Sequence, residues 1–248
     1  MNSDVCNWSA PPESPELCGQ EVHVWLANLD LTPDRRADLN ATLSPDEAEK
    51  ASRFYFEKDR SHYIAGRGFL RAILSRYIEL PARNLAFTYN PFGKPALADG
   101  LTKSDLSFNV SHSHGLGLYA FCQGRAIGAD IEQIRPDFAI DSIAEAFFSP
   151  REVAMLRNLP DEQRPRGFFN CWTRKEAYIK ARGEGLSHPL DKFAVSLAPG
   201  EHPTILWSED PLDAPRWSMR SLDPNPDYAA AVVLDGPCSQ IRCWRWDP

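Results

Sequence analysis

The residues best suited to chemistry lie in segment 168–180, FFNCWTRKEAYIK, which places an acid and several bases in an otherwise aromatic stretch. Trp172, Glu176 and Lys180 are spaced four apart, so on a helix they share one face, with Lys175 at its edge. A Glu–Lys pair at this spacing is also common on solvated helices. The segment alone therefore indicates either a reactive site or a salt-bridged surface helix with a buried tryptophan.

A second acidic pair lies upstream in segment 126–132, AIGADIE. Its apolar residues alternate with polar ones, which predicts a half-buried strand that presents Asp130 and Glu132 on the same face. Mg²⁺ prefers oxygen ligands and is commonly bound by one or two carboxylates plus substrate phosphates. Glu176 would add a third carboxylate. The alternative is that both strand residues simply face solvent.

A third polar group occurs in segment 108–115, FNVSHSHG, followed by the strand-like run LGLYAF. This pattern predicts a hairpin with polar groups at its tip. The hydroxyls of Ser111 and Ser113 and the imidazole of His112 are donors suited to phosphate oxygens. His112 could alternatively be a metal ligand or a catalytic base. Neither role is favoured, because His114 lacks zinc-type spacing to a cysteine pair and no G-x-S-x-G turn surrounds Ser111 or Ser113.

Composition narrows the function further. The chain has 248 residues, 43% of them apolar, and a net charge of −7, which argues against nucleic-acid binding. We expect no membrane partner, because no apolar run reaches 18 residues, and the first residues do not form a signal peptide. The six cysteines form no C-x-x-C pair, so we expect reduced thiols in a cytoplasmic protein.

The coarse element order predicts an α+β fold, since strands and helices mix without regular βαβ winding. Residues 1–20 are rich in Pro and Ser and are expected to form a flexible extension, and 198–203 and 208–215 to form surface loops. Ser44 is a predicted helix N-cap, with Pro45 at the first helical position. The predicted strands are 21–28, 85–89, 192–197, 216–222 and 229–234, and the predicted helices start at 44 and cover 63–77, 140–148, 150–158 and 166–182.

In this order and spacing, the motifs resemble the 4′-phosphopantetheinyl transferase family, specifically its longer Sfp-type branch and, within that, the cyanobacterial members. The resemblance covers residues 21–197. It rests on LSPDEAEKASRFY (43–55), AGRGFLR (65–71), FGKP (92–95), FNVSHS (108–113), IGADIE (127–132), FFS (147–149) and WTRKEAYIK (172–180).

The resemblance implies a fold of two similar α+β subdomains related by a pseudo-twofold axis, with the active site in the cleft between them. Residues 21–124 would form the N-terminal half with the coenzyme A contacts. Residues 125–248 would form the C-terminal half with the metal and catalytic residues. Since both halves lie on one chain, the resemblance implies a monomer.

The implied reaction transfers the 4′-phosphopantetheine of coenzyme A to a serine of an apo acyl or peptidyl carrier protein, releasing adenosine 3′,5′-bisphosphate. The cofactor would be Mg²⁺, with Mn²⁺ as a substitute, held by Asp130, Glu132 and Glu176. Glu176 would act as the base, directly or through a metal-bound water. Lys180 would stabilise the transferring phosphate or protonate the leaving group. The pathway, whether fatty acid, polyketide, nonribosomal peptide or glycolipid synthesis, stays open.

The resemblance also assigns coenzyme A contacts. Lys50 would bind the 3′-phosphate, although the family often has a further basic residue where this chain has Glu47. Arg53 could compensate, as could Arg67, although a surface or structural role suits Arg67 better. The other coenzyme A contacts would be Gly93, Lys94, Pro95, Ser111, His112, Ser113 and Lys180.

Two other function classes would explain part of this pattern. A noncatalytic coenzyme A-binding module would keep the Gly-Lys-Pro turn but lose the carboxylates or Lys180, and this chain keeps them all. A different Mg²⁺-dependent phosphoryl transferase would bring its own phosphate loop, and no G-x-x-x-x-G-K-[ST] is present.

Overall fold

The computed structural model describes residues 6–101, 105–185 and 188–246. The helices are α1 (Pro33–Asn40), α2 (Pro45–Ser52), α3 (Glu57–Ile78), α4 (Ile140–Phe147), α5 (Pro150–Arg157), α6 (Arg164–Arg182) and α7 (Asp213–Arg216). The strands are β1 (Trp8–Ser9), β2 (Glu21–Asn28), β3 (Phe87–Tyr89), β4 (Pro95–Leu97), β5 (Leu106–Ser113), β6 (Leu116–Gln123), β7 (Ile127–Gln133), β8 (Phe193–Val195), β9 (Ile205–Ser208), β10 (Trp217–Leu222), β11 (Tyr228–Asp235) and β12 (Gln240–Trp246). The protein therefore has a mixed α/β fold.

Two sheets pack face to face between two long helices. The larger sheet has the order β1-β12-β2-β6-β5 and the smaller one the order β10-β11-β7. Between the sheets lies a core that includes Val24, Ala120, Ile131 and Val232. A second core joins the larger sheet to α3, and a third joins the smaller sheet to α6. Both sheets are thus covered on both faces.

This layering explains why β2 has no clear alternation of polar and apolar residues. Val22, Val24 and Leu26 face the smaller sheet, whereas Trp25 and Ala27 face α3. The same reasoning corrects the prediction for β7, which was expected to be half-buried. Residues 127–131 of β7 are all buried, because one face of the strand belongs to the core between the sheets and the other face lies against α6 and β5.

The two ends of the chain meet at the edge of the larger sheet. β12 pairs in parallel with β2 on one side and with β1 on the other. The segment from Cys6 to residue 20 is therefore tied to the sheet at β1, while residues 1–5 lie outside the described residues. The division at residue 125 stays a prediction, but the last strand of the predicted second half belongs to the sheet of the first.

The expectation of six reduced thiols is wrong for one pair. Cys6 and Cys243 form a disulfide, with their Cα atoms 5.9 Å apart. They are separated by 237 residues and meet only because β1 lies beside β12, so no local spacing signals the pair. Cys122 and Cys171 are buried thiols, as expected for small hydrophobic residues.

Local signals placed several elements correctly. Ser44 is the N-cap of α2, where it forms a capping box with Glu47, and Pro45 occupies the first helical position. The predicted 208–215 loop was wrong at its end, since Asp213 begins the short helix α7. No described helix is long and apolar enough to cross a membrane.

Candidate active site

The candidate site lies where β5 and β7 run side by side without a backbone ladder. Ser111 Oγ donates to Asp130 Oδ1 at 2.7 Å, and Ser113 Oγ donates to Glu132 Oε2 at 2.7 Å. Alternate residues of a strand share one face, so both serines of β5 meet both carboxylates of β7. The predicted shared face of Asp130 and Glu132 is confirmed.

The serines are not at a hairpin tip, which corrects that prediction. Ser111 and Ser113 lie within β5, and the turn to β6 consists of His114 and Gly115 alone. Both turn residues have positive φ, 42° and 85°, as a two-residue turn between twisted strands requires. Placing the polar residues on the strand orients them toward β7 rather than toward solvent.

Asn109 continues this row of polar side chains and was missed by the sequence reading. Its Oδ1 accepts a hydrogen bond of 2.9 Å from the Ala129 amide, so a side chain replaces a ladder bond between β5 and β7. The same period-two alternation that pairs Ser111 with Ser113 extends back to Asn109. That pattern is the signal by which Asn109 could have been found.

Helix α6 packs unusually close to β7 at Gly128. A Cβ atom on Gly128 would overlap the backbone of Ala177 and Ala181. Only glycine permits this approach of helix to strand. It places the helix face of Glu176 and Lys180 directly beside the carboxylates of β7.

Lys180 forms the central ion pair of the site. Its Nζ lies 2.6 Å from Asp130 Oδ1 and donates to Ser111 Oγ at 3.1 Å. Asp130 is only 3% exposed, yet its Oδ2 has no hydrogen-bond partner among the described residues. Burying a carboxylate oxygen without a hydrogen-bond partner costs free energy, which a ligand bound to this oxygen would offset.

The site holds more negative than positive charge. Burial, together with the charges of Asp130 and Glu132, raises the pKa of Glu176 to about 7, against the opposing effect of Lys180. The pKa of Glu132 is also raised, by burial and by Asp130. Three carboxylates therefore lie close to the Lys180 ammonium, and a proton or a cation is readily taken up here.

Two adjoining cavities open onto these groups. The first, about 450 Å³, is lined by Val110, Ser111, His112, Asp130, Glu132, Phe147, Trp172, Glu176, Lys180 and Leu190. The second, about 390 Å³, shares Val110, Glu176 and Lys180 and is otherwise lined by Phe92, Gly93, Lys94, Pro95, Asn109, Ile179, Gly183 and Gly185. Glu176 and Lys180 thus lie between an aromatic-walled space, which Asp130 and Glu132 also line, and a space bordered by the Gly-Lys-Pro turn.

The Gly-Lys-Pro turn is present, but the ammonium group of Lys94 is engaged with the protein. Lys94 Nζ donates to the carbonyl oxygens of Ile127 at 2.8 Å and Lys180 at 2.7 Å. Burial lowers the pKa of Lys94 to about 8. Gly93 has a φ of 82°, which the turn requires.

The other predicted phosphate contact, Lys50, lies apart from these groups at the end of α2. It is exposed, with its ammonium 5.4 Å from the ring centre of Tyr63. Glu47, one turn earlier, points inward and pairs with Arg67 and Arg71. Glu47 is therefore a structural counter-ion, and Arg67 has the structural role that the sequence favoured.

Lys175 lies away from the site, which corrects the prediction that it stands at the edge of the face shared by Trp172, Glu176 and Lys180. It is fully buried on the opposite side of α6, where its Nζ lies 2.8 Å from Glu152 Oε2. It also donates to the carbonyl oxygens of Leu190 and Phe193, each at 2.6 Å. Its sequence neighbour Glu176, by contrast, faces the cavities.

The donor chemistry of the site fits a hard divalent cation. As the side chains stand, no three His, Cys, Asp or Glu residues in the described ranges are close enough together to form a metal site. The unpartnered Oδ2 of Asp130 and the raised pKa of both glutamates show, however, that negative charge is undercompensated. All candidate donors are carboxylate oxygens, the ligand type that Mg²⁺ prefers.

Comparison with protein families gives two matches. Residues 126–233 match the model described as the 4′-phosphopantetheinyl transferase superfamily. Residues 32–122 match the model described as 4′-phosphopantetheinyl transferase, N-terminal. The first match includes β7 and α6, and the second includes the Gly-Lys-Pro turn and β5.

Individual relatives agree with these matches. The 4′-phosphopantetheinyl transferase HetI of Nostoc is 42% identical over 239 residues, which span 96% of this chain and 98% of that protein. The transferase Sfp of Bacillus subtilis is 32% identical over 207 residues, 84% of this chain and 88% of that one. A putative transferase of Synechocystis is 35% identical over 174 residues, 69% of each chain.

Proposed function

Since the chain belongs to the 4′-phosphopantetheinyl transferase family, as an Sfp-type enzyme similar to cyanobacterial members, we propose that it transfers the 4′-phosphopantetheine of coenzyme A to a serine of an apo carrier protein. One observation carries this proposal. Asp130, Glu132, Glu176 and Lys180 line one cavity, and Glu176 and Lys180 also line the cavity that adjoins it. The arrangement suits a diphosphate substrate on one side and an incoming hydroxyl on the other.

The chemistry is attack of an alcohol on one phosphorus of a diphosphate. A bond forms between the serine Oγ and the β-phosphorus, and the bond from that phosphorus to the bridging oxygen breaks. The serine proton needs an acceptor, and adenosine 3′,5′-bisphosphate leaves with the electron pair of the broken bond. We assign the acceptor role to Glu176, because a carboxylate with a pKa of about 7 accepts and releases protons readily near neutral pH.

Lys180 is assigned to the charge of the reacting phosphates. Its Nζ lies between Ser111 Oγ and Asp130 Oδ1, so the ammonium is oriented before substrate arrives. A preoriented charge costs little reorganisation when negative charge develops in the transition state. The ammonium also stands one helical turn from Glu176, beside the proposed proton acceptor.

We further propose Mg²⁺ as the cofactor, with Mn²⁺ as a substitute, held by Asp130, Glu132 and Glu176. The unpartnered Oδ2 of buried Asp130 supports this assignment. When bound, the cation would neutralise charge on the diphosphate and polarise it. Ser111 and Ser113 hold the other oxygens of Asp130 and Glu132, which keeps both carboxylates directed into the cavity.

The nucleotide end of coenzyme A is proposed to lie toward the second cavity and α2. His112 of β5 is exposed on the first cavity and would contact the phosphates. Ser111 and Ser113 would contact them by exchanging the hydrogen bonds that their hydroxyls donate to Asp130 and Glu132. Gly93, Lys94 and Pro95 would border the nucleotide, and Lys50 would bind the 3′-phosphate.

The finer architecture is also a proposal. We propose two similar subdomains related by a pseudo-twofold axis, with the site in the cleft between them. The position of the site between a strand of the larger sheet and a strand of the smaller sheet supports this arrangement. We expect the enzyme to be cytoplasmic. Its substrates would be acyl or peptidyl carrier proteins of fatty acid, polyketide or nonribosomal peptide synthesis.

Mass spectrometry of apo carrier proteins tests the function directly. Incubation with the enzyme, coenzyme A and Mg²⁺ should add one phosphopantetheine to the carrier and release adenosine 3′,5′-bisphosphate. Omission of the metal should stop the reaction, and Mn²⁺ should restore it. Absence of the mass gain across acyl, peptidyl and aryl carriers would overturn the proposal.

A further inference from the structure

The turn between β3 and β4 caps the C-terminal end of helix α6, which carries Glu176 and Lys180. We call residues 90–94 the docking turn. Its Asn90 Nδ2 donates to the carbonyl oxygen of Gly183 at 3.0 Å, and its Lys94 Nζ donates to that of Lys180 at 2.7 Å. Helices leave their last carbonyls without partners inside the helix. For α6, whose cap residue Gly183 is left-handed with a φ of 75°, partners come from a turn about 90 residues away in sequence.

The same ammonium group also holds the neighbouring strand. Lys94 Nζ donates to the carbonyl oxygen of Ile127, the first residue of β7, at 2.8 Å. Lys94 therefore links the helix that bears Glu176 and Lys180 to the strand that bears Asp130 and Glu132. A positive charge is also favourable at the C-terminal end of a helix.

The docking turn is rigid enough to act as an anchor. Asn90 Oδ1 accepts hydrogen bonds from the amides of Phe92 at 3.0 Å and Lys94 at 2.9 Å. The backbone closes the turn as well, with Asn90 N donating to Lys94 O and Gly93 N donating to Asn90 O. Its two contacts to α6 thus arise from one internally bonded unit.

We propose that Lys94 and Asn90 are positioning residues of the reaction. They hold the C-terminal end of α6 against β7 before coenzyme A binds, and so fix where Lys180 and Glu176 stand relative to Asp130. The proposal rests on the proposed function for the roles of Lys180 and Glu176. It differs from a simple ligand role, in which the Lys94 ammonium would act only on bound coenzyme A.

Hydrogen exchange of the ligand-free enzyme is the first test. In Lys94→Met, the side chain keeps its length but loses its donors, leaving two carbonyl groups unpaired. Amides at residues 180–184 should then exchange about tenfold faster, the effect expected from losing hydrogen bonds to a charged group. Asn90→Asp should act likewise, since it keeps the acceptor that forms the turn but sets a carboxylate against Gly183 O.

Kinetics provide the second test. Loss of positioning should lower kcat about tenfold and change KM for coenzyme A less than threefold, because the displaced groups act in the transition state. Lys94→Arg, which retains charge and donors, should recover most of kcat. Lys58→Met removes an exposed lysine on α3 and is the matched control, with unchanged exchange at residues 180–184 and unchanged kcat.

Different outcomes separate the hypotheses. Unchanged exchange in ligand-free Lys94→Met and Asn90→Asp would overturn the positioning role. So would a raised KM for coenzyme A with normal kcat, which would assign Lys94 to ligand binding alone. If the wild-type enzyme transfers no phosphopantetheine, the proposed function fails, but the exchange experiment still decides whether the docking turn holds α6. Should Lys94→Met not fold, Asn90→Asp provides the same readouts.

Discussion

Helix α6 carries two lysine–carboxylate pairs that differ in every respect except their chemistry. Lys175 pairs with Glu152, and both side chains are fully buried. Lys180 pairs with Asp130 at the junction of two cavities, and its side chain is 28% exposed. The helix thus has one pair on each side, five residues apart in sequence.

The difference lies in how completely each pair is satisfied. The three donors of Lys175 are matched by Glu152, Leu190 O and Phe193 O. Glu152 additionally accepts hydrogen bonds from Ser149 and Val195.

At the other pair, Asp130 Oδ2 has no partner among the described residues, and two further carboxylates lie nearby. A satisfied buried pair holds elements together, whereas an undersatisfied one in a cavity is available for a ligand.

Loss of a carboxylate at the cavity should have the largest effect. We expect Asp130→Ala and Glu176→Ala each to lower transfer by about a thousandfold or more, the scale of removing a key electrostatic group. Thermal unfolding should remain cooperative, because these side chains are not required by the cores. Transfer is measured by mass spectrometry, and near-normal turnover at saturating Mg²⁺ would refute their assignment.

The buried pair should show the opposite behaviour. Lys175→Met leaves the Glu152 carboxylate buried without its cation, which should cost about 3–5 kcal/mol of unfolding free energy. The double variant Glu152→Gln, Lys175→Met should recover part of this loss. Denaturant unfolding of wild type and the two variants measures these free energies. A Lys175→Met variant as stable as wild type would contradict the structural role of the Lys175–Glu152 pair.

Replacing Lys180 and replacing Lys50 should change different kinetic parameters. Lys180→Ala should lower kcat about a hundredfold, more than it raises KM for coenzyme A, because its ammonium faces charge that develops in the transition state. Lys50→Ala should mainly raise that KM, about tenfold, because its proposed partner phosphate does not react. The reverse pattern in steady-state kinetics would exchange their roles.

The undersatisfied site should also lower stability at high pH. The pKa of folded Glu176 is about 7 against 4.5 as the usual value, so the folded state retains a proton that the unfolded state has released. Stability of the ligand-free enzyme should therefore fall as pH rises from about 4.5 to 7. Glu176→Gln should remove this loss and be more stable than wild type at pH 8.

We expect a gain of about 1–2 kcal/mol, allowing for the partial exposure of Glu176. Urea unfolding at pH 5 and pH 8, without metal or coenzyme A, measures it. Equal stability differences at both pH values would contradict the raised pKa. Asp141→Asn, an exposed carboxylate on α4, is the control and should show no such dependence.

Mixing two variant chains should have the smallest effect on activity. Ser111, Asp130 and Lys180 meet within one chain, so we expect a monomer with a mass near 27.9 kDa by light scattering. At coenzyme A concentrations well below the KM of Lys50→Ala, mixing this variant with Glu176→Ala should give no activity beyond that of Lys50→Ala alone. Recovered activity would show that the site is shared between subunits.

Sequence alone predicted much of this arrangement where short-range rules apply. The period of a strand put Asp130 and Glu132 on one face, and the period of a helix aligned Trp172 with Glu176 and Lys180. The N-cap at Ser44 followed equally from local chemistry.

The order of the motifs along the chain also predicted the family, and the family matches confirm that prediction. The assigned roles of the metal ligands and of the coenzyme A contacts stay predictions.

Sequence by itself determined which residues share a face, because helical and strand periods are fixed by the backbone. Only the tertiary structure decided what each face meets. Lys175 was misread because its partner Glu152 lies 23 residues away on another helix, and the Cys6–Cys243 disulfide spans nearly the whole chain. The carbonyl groups held by Lys94 are likewise distant in sequence, since such contacts depend on how β7, α6 and the docking turn pack together.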